Sequence, residues 1–169
     1  MESNDFSELL VLRLSRQFEL SDRYDGRTYD IVAQRTEEET KSLGQVQVEK
    51  KVMAVSFVDE FMGASYVESE IEKIPESTLC AFRNISKGKS SIFIRVFVME
   101  DIPFDLIQKV RSYSFFRSEQ REHDYTAVAG IILVDNESHM LYSNKAASEF
   151  CNFFKIVNPV ETRDEEDEA

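Results

Sequence analysis

The chain has 169 residues, 42% of them hydrophobic, which is enough for one domain with a sizeable core, and it carries a formal net charge of −12. A field of that sign repels nucleic acid and anionic membrane, so it excludes both as main partners and leaves solubility or a basic protein partner. Cys80 and Cys151 have no CxxC or Cys/His spacing around them, which argues against a disulfide framework or a zinc site; the acidic start Met1-Glu2-Ser3-Asn4-Asp5 and the lack of a long apolar run predict a cytoplasmic protein.

In chain order, Leu10, Leu12 and Leu14 alternate with Val11, Arg13 and Ser15 and read as a strand, although Phe6, Leu9, Leu10, Arg13 and Leu14 also fit a helical stripe. Ser21 to Gly26 has turn composition. Tyr29 through Leu43 reads as a helix ending at Gly44, with the Glu-rich run Thr36 to Thr40 as its solvated face. Val46, Val48, Val52, Met53 and Val55 form a β-prone segment interrupted by Glu49-Lys50-Lys51, a turn or bulge.

The next segment, Val55-Ser56-Phe57-Val58-Asp59-Glu60-Phe61-Met62-Gly63, is the most informative in the chain. It reads as a strand–helix corner in which Ser56 accepts from the Asp59 N–H, while Asp59 and Glu60 place negative charge at the positive end of the helix. Phe57, Phe61, Ala64, Val67, Ile71 and Ile74 then recur at three- and four-residue steps as a buried stripe that Pro75 stops. Leu79 to Ile85 reads as a short strand and Ser86 to Lys89 as a loop.

Ile92 to Met99 is almost continuously apolar, the pattern of a central strand covered on both faces. Asp101 caps a helix with Pro103 in its first turn and Ile102, Leu106, Ile107, Val110 and Tyr113 along its buried stripe. Thr126 to Val134 is another buried strand, joined through Asp135-Asn136-Glu137-Ser138 to Met140-Leu141-Tyr142 as a hairpin. Ala146, Ala147, Phe150, Cys151 and Phe154 mark a final amphipathic helix, and residues 161–169 are an acidic tail without apolar content, expected to be disordered. The alternation predicts an α/β fold, a mixed sheet with amphipathic helices packed on it, over residues 1–160. Two small α/β halves sharing a core are the alternative.

Chemistry is sparse. His123 and His139 sit in polar turns without an acidic or Cys partner at useful spacing, and the five glycines form neither GxGxxG nor GxxxxGK. Asp59 and Glu60, being adjacent, point about 100° apart on a helix and do not make an acid–base pair. Lys109, Arg111, Arg117 and Arg121, with Phe115 and Phe116 beside them, read as a charged outer face over an aromatic core. No catalytic, metal or cofactor residue is nominated. The candidate partner-binding or regulatory residues are Ser56, Phe57, Asp59 and Glu60, with the Ser56 hydroxyl, placed at a helix N-terminus, open to phosphorylation.

The corner Ser56-Phe57-Val58-Asp59-Glu60-Phe61-Met62-Gly63, preceded by Arg23-Tyr24-Asp25-Gly26-Arg27, resembles the STAS-like domains of unknown function found in bacteria and their phages. Phe82-Arg83-Asn84-Ile85 looks like the next strand of such a domain, and the resemblance covers roughly residues 10–86. It implies a small α/β sandwich and a non-catalytic regulatory or protein-binding role. Gly130 to Asp135 followed by Leu141 to Ala147 resembles the opening of a PAS sensor domain and implies a hairpin–helix of that local shape. The reading from another class is an acidic inhibitor or nucleic-acid mimic that occupies a basic groove of another protein.

Overall fold

The computed structural model describes residues 3–40, 46–80, 89–120 and 124–156. These form a mixed seven-stranded sheet with helices on both faces, so the expected α/β class holds. The chain runs α1 (Ser3–Ser15), β1 (Glu19–Tyr24), β2 (Arg27–Thr40), β3 (Val46–Phe57), α2 (Gly63–Leu79), β4 (Lys89–Met99), α3 (Phe104–Ser112), β5 (Phe115–Gln120), β6 (Asp124–Asp135) and β7 (Leu141–Ser143), and then a 3₁₀ helix, Lys145–Phe154. Strand order is β1-β2-β3-β4-β6-β5, with β7 also on β6. The β3–β4 and β4–β6 pairs are parallel, and the other pairs are antiparallel. Because β3 pairs with β4 over ten residues, from Val48↔Lys89 to Phe57↔Val98, the two halves of the chain share one sheet.

The nearly unbroken apolar runs of β4 and β6 follow from this position: a central parallel strand is covered on both sides and cannot spare a face for polar residues. Phe6, Leu10 and Leu14 of α1 pack with Phe150 and Phe154 of the 3₁₀ helix over Met53, Ile94 and Ile132. On the opposite face Val67 and Ile71 of α2 and Leu106 and Val110 of α3 pack over Val32, Phe97 and Ile131.

Several local expectations are corrected. Leu10, Leu12 and Leu14 are helical: burial falls on Phe6, Leu10 and Leu14 at four-residue steps, while Val11 and Leu12 face out. Tyr29 onward is strand β2. Two steps along β1, Ser21 to Arg23, span four along β2, Thr28 to Val32, and this bulge turns Tyr29 and Val32 to the same face at a spacing that imitates a helix. Only Asp25 and Gly26, both at positive φ (53° and 72°), make the turn before it. Glu49-Lys50-Lys51 continues β3 without interruption, since Lys50 lies over the Tyr24 ring and Lys51 over the Phe150 ring, one on each face. Pro75 lies inside α2, whose last turn buries Ser77 and Thr78, the Thr78 hydroxyl donating to Ile74 O (2.8 Å). Leu79 ends α2 rather than starting a strand, and residues 81–88 fall outside the described residues, as do His123, Arg121 and the acidic tail. Phe115 and Phe116 begin β5. The hairpin of β6 and β7 and the hairpin–helix shape after Gly130 are as expected, with a 3₁₀ rather than an α-helix at its end.

One edge of β6 is completed by a side chain. β5 pairs with residues up to Ala129 and β7 with residues from Ile132, leaving a gap between them. The Asn144 amide fills it: its Oδ1 accepts from Ile131 N (3.0 Å) and Ala147 N (3.2 Å), and its Nδ2 donates to Ala129 O (3.2 Å) and Tyr113 O (3.1 Å). All four bonding positions of the buried amide are used. Gly130 is obligatory beside it, because a Cβ there would come within 2.8 Å of the Ala147 Cβ.

Arg95, in the middle of β4, is the largest fully buried side chain and only 2% exposed. Its Nη1 donates to Ala54 O (3.0 Å), its guanidinium lies between the Tyr29 and Phe97 rings, and its Nη2 is 3.8 Å from Glu70 of α2. Burial pushes the guanidinium pKa down and Glu70 opposes that shift. The pair thus clips α2 to the sheet, and removing one member leaves the other charge desolvated. Glu70→Ala should lower stability by about 3 kcal/mol, and Arg95→Met with Glu70→Leu should recover most of it, as read from urea denaturation midpoints.

Asn144→Asp should cost about 3 kcal/mol at neutral pH, because a carboxylate oxygen would face the Tyr113 and Ala129 carbonyls. Burial raises the folded-state pKa of that acid above its unfolded value of about 4, so the folded state binds the extra proton more tightly. The penalty should therefore be smallest below about pH 4 and grow as the pH rises, which thermal melts across pH would show.

Candidate functional site

Strands β3, β4 and β6 end level with one another: Phe57 pairs with Val98, Val98 with Val134 and Met99 with Asp135. Val58 N donates to Val98 O (2.8 Å) and Asn136 N to Met99 O (2.9 Å), so the three following loops leave from one line. The carboxyl ends of parallel strands are where open α/β sheets form their binding crevices. Here they hold a cleft of about 600 Å³ with an apolar floor of Phe57, Val58, Ala64, Val98 and Met99 and a rim of Asp59, Glu60, Glu100 and Asp101.

The structure separates the four residues singled out from the sequence. Ser56 does not cap a helix. It is the penultimate residue of β3, paired with Phe97 and only 5% exposed, and α2 begins seven residues later at Gly63. A hydroxyl so placed is no open phosphorylation site; its position beneath the corner comes from the parallel ladder continuing through Phe57. Asp59 does not cap α2 either, since the N-cap is Met62, which has no side-chain cap; Asp59 holds the turn that leads into the helix, its Oδ1 accepting from Phe61 N (3.0 Å) and Met62 N (2.8 Å) and its carbonyl from Gly63 N (3.3 Å). Gly63, at φ 58°, lets the chain turn into the helix. Phe57 is half-buried, edge-on to Phe6, and its N–H donates to the Asp30 carboxylate (2.7 Å). Glu60 is exposed on the rim.

Phe61 lies outside the core stripe to which its spacing assigned it. It is 98% exposed at the tip of the corner, because the residues from 58 to 62 are loop and turn. Phe104, the first residue of α3, is 69% exposed at the same end of the sheet, and Met62 and Met140 are exposed in the adjoining loops. Asp101 does not cap α3, whose N-cap is Pro103; it sits at φ 52° and presents its carboxylate on the cleft rim. Asn136 contributes a buried Oδ1 without a hydrogen-bond partner.

Elsewhere, a groove at the far end of the sheet is lined by Glu37, Glu38 and Glu49, but Arg35 pairs with Glu37 and Lys51 with Glu49, so the groove does not display a free row of carboxylates. Lys109 and Arg111 occupy the last turn of α3, where cations meet the helix dipole, and Arg111 also covers the Tyr142 ring. Cys80 and Cys151 form no disulfide and are half-buried. His139 is exposed in the turn before β7. Among the described residues no group of His, Cys, Asp and Glu is arranged to hold a metal ion, and no helix is long and apolar enough to cross a membrane.

Asp59→Ala should cost about 1 kcal/mol by freeing the Phe61 and Met62 N–H groups. Hydrogen exchange should accelerate at residues 60–63 and leave β3 and β4 unchanged.

No protein-family model matches the chain, and neither a curated protein nor a solved structure matches it.

Proposed function

We propose that this chain is a non-catalytic, cytoplasmic regulatory module of the STAS-like kind that binds another protein at the carboxyl ends of β3, β4 and β6. The observation that carries the reading is Phe61, almost wholly exposed on a corner that is fixed by Asp59 and by the Asp30 bond to Phe57. The bonds at Asp59 and Phe57 fix the backbone that carries this aromatic, so little main-chain ordering is left to a partner that covers it, and burying a phenylalanine contributes about 2–3 kcal/mol. Phe104, Met62 and Met140 enlarge the apolar surface at the same end, the composition of an interface core, with charged residues as its rim. The resemblance of the Ser56–Gly63 corner to STAS-like domains supports the same end of the sheet. In this reading Phe57, Asp59 and Glu60 belong to the docking surface, and Ser56 supports it from below.

Both aromatics are exposed, so replacing them leaves the core intact. Phe61→Ser with Phe104→Ser should keep the melting temperature within about 2 °C of the parent. Affinity capture from native lysate, followed by quantitative mass spectrometry, should then lose at least one protein that the parent chain retains. An identical set of captured proteins would contradict docking at this end.

A further inference from the structure

Resting on that reading, we infer that the partner presents a cationic amphipathic segment, with lysine or arginine side chains interspersed among apolar anchors. Asp59, Glu60, Glu100 and Asp101 rim the cleft, and no lysine, arginine or histidine lines it. Among the described residues none of the four carboxylates takes part in an ion pair. The first turns of α2 and α3 point toward this end and contribute positive potential, but each helix terminus is equivalent to only about half a unit charge. Two termini against four carboxylates leave the cleft strongly negative, which excludes a phosphate or another anion and selects a cation.

The apolar floor and exposed Phe61 and Phe104 exclude a bare inorganic cation as the natural occupant, because such an ion would leave them in water. The net charge of −12 strengthens attraction at long range, so association should be fast and salt-dependent. A groove with an apolar base and an acidic border suits a helix or extended segment whose anchors enter the floor while its cations reach the rim.

The test uses the full chain and three fluorescent helical peptides of about four turns, built from leucine with lysine, glutamine or glutamate at the same polar positions. Fluorescence anisotropy should show binding of the lysine peptide, weakened by about tenfold between 0.05 and 0.2 M salt, and weaker or no binding of the other two. Asp59→Asn with Glu100→Gln and Asp101→Asn should weaken lysine-peptide binding by about tenfold, since asparagine at residue 59 can still accept the turn hydrogen bonds. Glu37→Gln with Glu38→Gln and Glu49→Gln, at the opposite end, should leave it unchanged and so separates cleft recognition from general attraction. A thermal melt verifies that each variant folds; if the cleft triple variant does not, Glu100→Gln with Asp101→Asn replaces it. Equal binding of all three peptides, lost in Phe61→Ser, would overturn the cationic partner and leave the docking surface standing. Failure of the lysine peptide to bind, or binding indifferent to the cleft variants, would overturn the inference. Binding indifferent to both the cleft variants and Phe61→Ser would overturn docking at this end as well.

Discussion

Three adjacent parallel strands cannot leave either face in water, and the rest of this structure follows from that constraint. β3, β4 and β6 need helices above and below, which the β3–α2–β4 and β4–α3–β6 connections supply on one side and α1 with the 3₁₀ helix on the other. The parallel ladder also sets the site. Because the register from Phe57 through Val98 to Val134 is level, three loops distant in sequence leave the sheet together and their carboxylates gather at one end. Polar side chains then secure what the apolar layers cannot. Arg95 fastens α2 through Glu70, and the Asn144 amide carries the outer edge of β6 across the gap between β5 and β7.

The same end of the molecule combines hydrogen-bonded loop backbones with exposed apolar side chains. Asp59 fixes the corner, Asp30 holds the last residue of β3, and Met99 O receives Asn136 N, so the surface is prearranged. It displays two exposed phenylalanines and two exposed methionines, which gain by leaving water, beside four acids without cationic partners among the described residues. In the proposed docking, the braced backbone reduces the conformational entropy lost on binding and the acidic rim favours a cationic partner.

The central strands were legible because their environment removes ambiguity: Ile92–Met99, but for Arg95, and Ala127–Val134 are apolar on both faces, which a half-exposed strand or a surface helix would not be. The buried stripe from Val67 to Ile74 and that of Leu106 and Val110 were legible for the matching reason, a regular helical period. The failures have physical causes. Leu10, Leu12 and Leu14 alternate, but Phe6 selects the helical alternative through its packing against Phe57, a partner far away in sequence. The β2 bulge places Tyr29 and Val32 on one face three residues apart, a spacing that local pattern cannot distinguish from a helix. At the site, the Ser56–Gly63 corner could be located, yet the exposure of Phe61 depends on where the loop ends. Glu100, Asp101 and Asn136 join it only through the parallel register, and Asn144 reveals its role only once β5 and β7 are seen to share β6.

The proposed docking places a partner at the carboxyl ends of the parallel strands. Hydrogen-exchange footprinting of the full chain, free and bound to a protein it captures, tests this most directly. Docking there should give new protection at residues 57–64, 98–104 and 136–140, with the outer strands β1 and β5 unchanged. Protection concentrated on Glu19–Tyr24 or Phe115–Gln120, with the three loops unaffected, would contradict it and place recognition at a sheet edge instead.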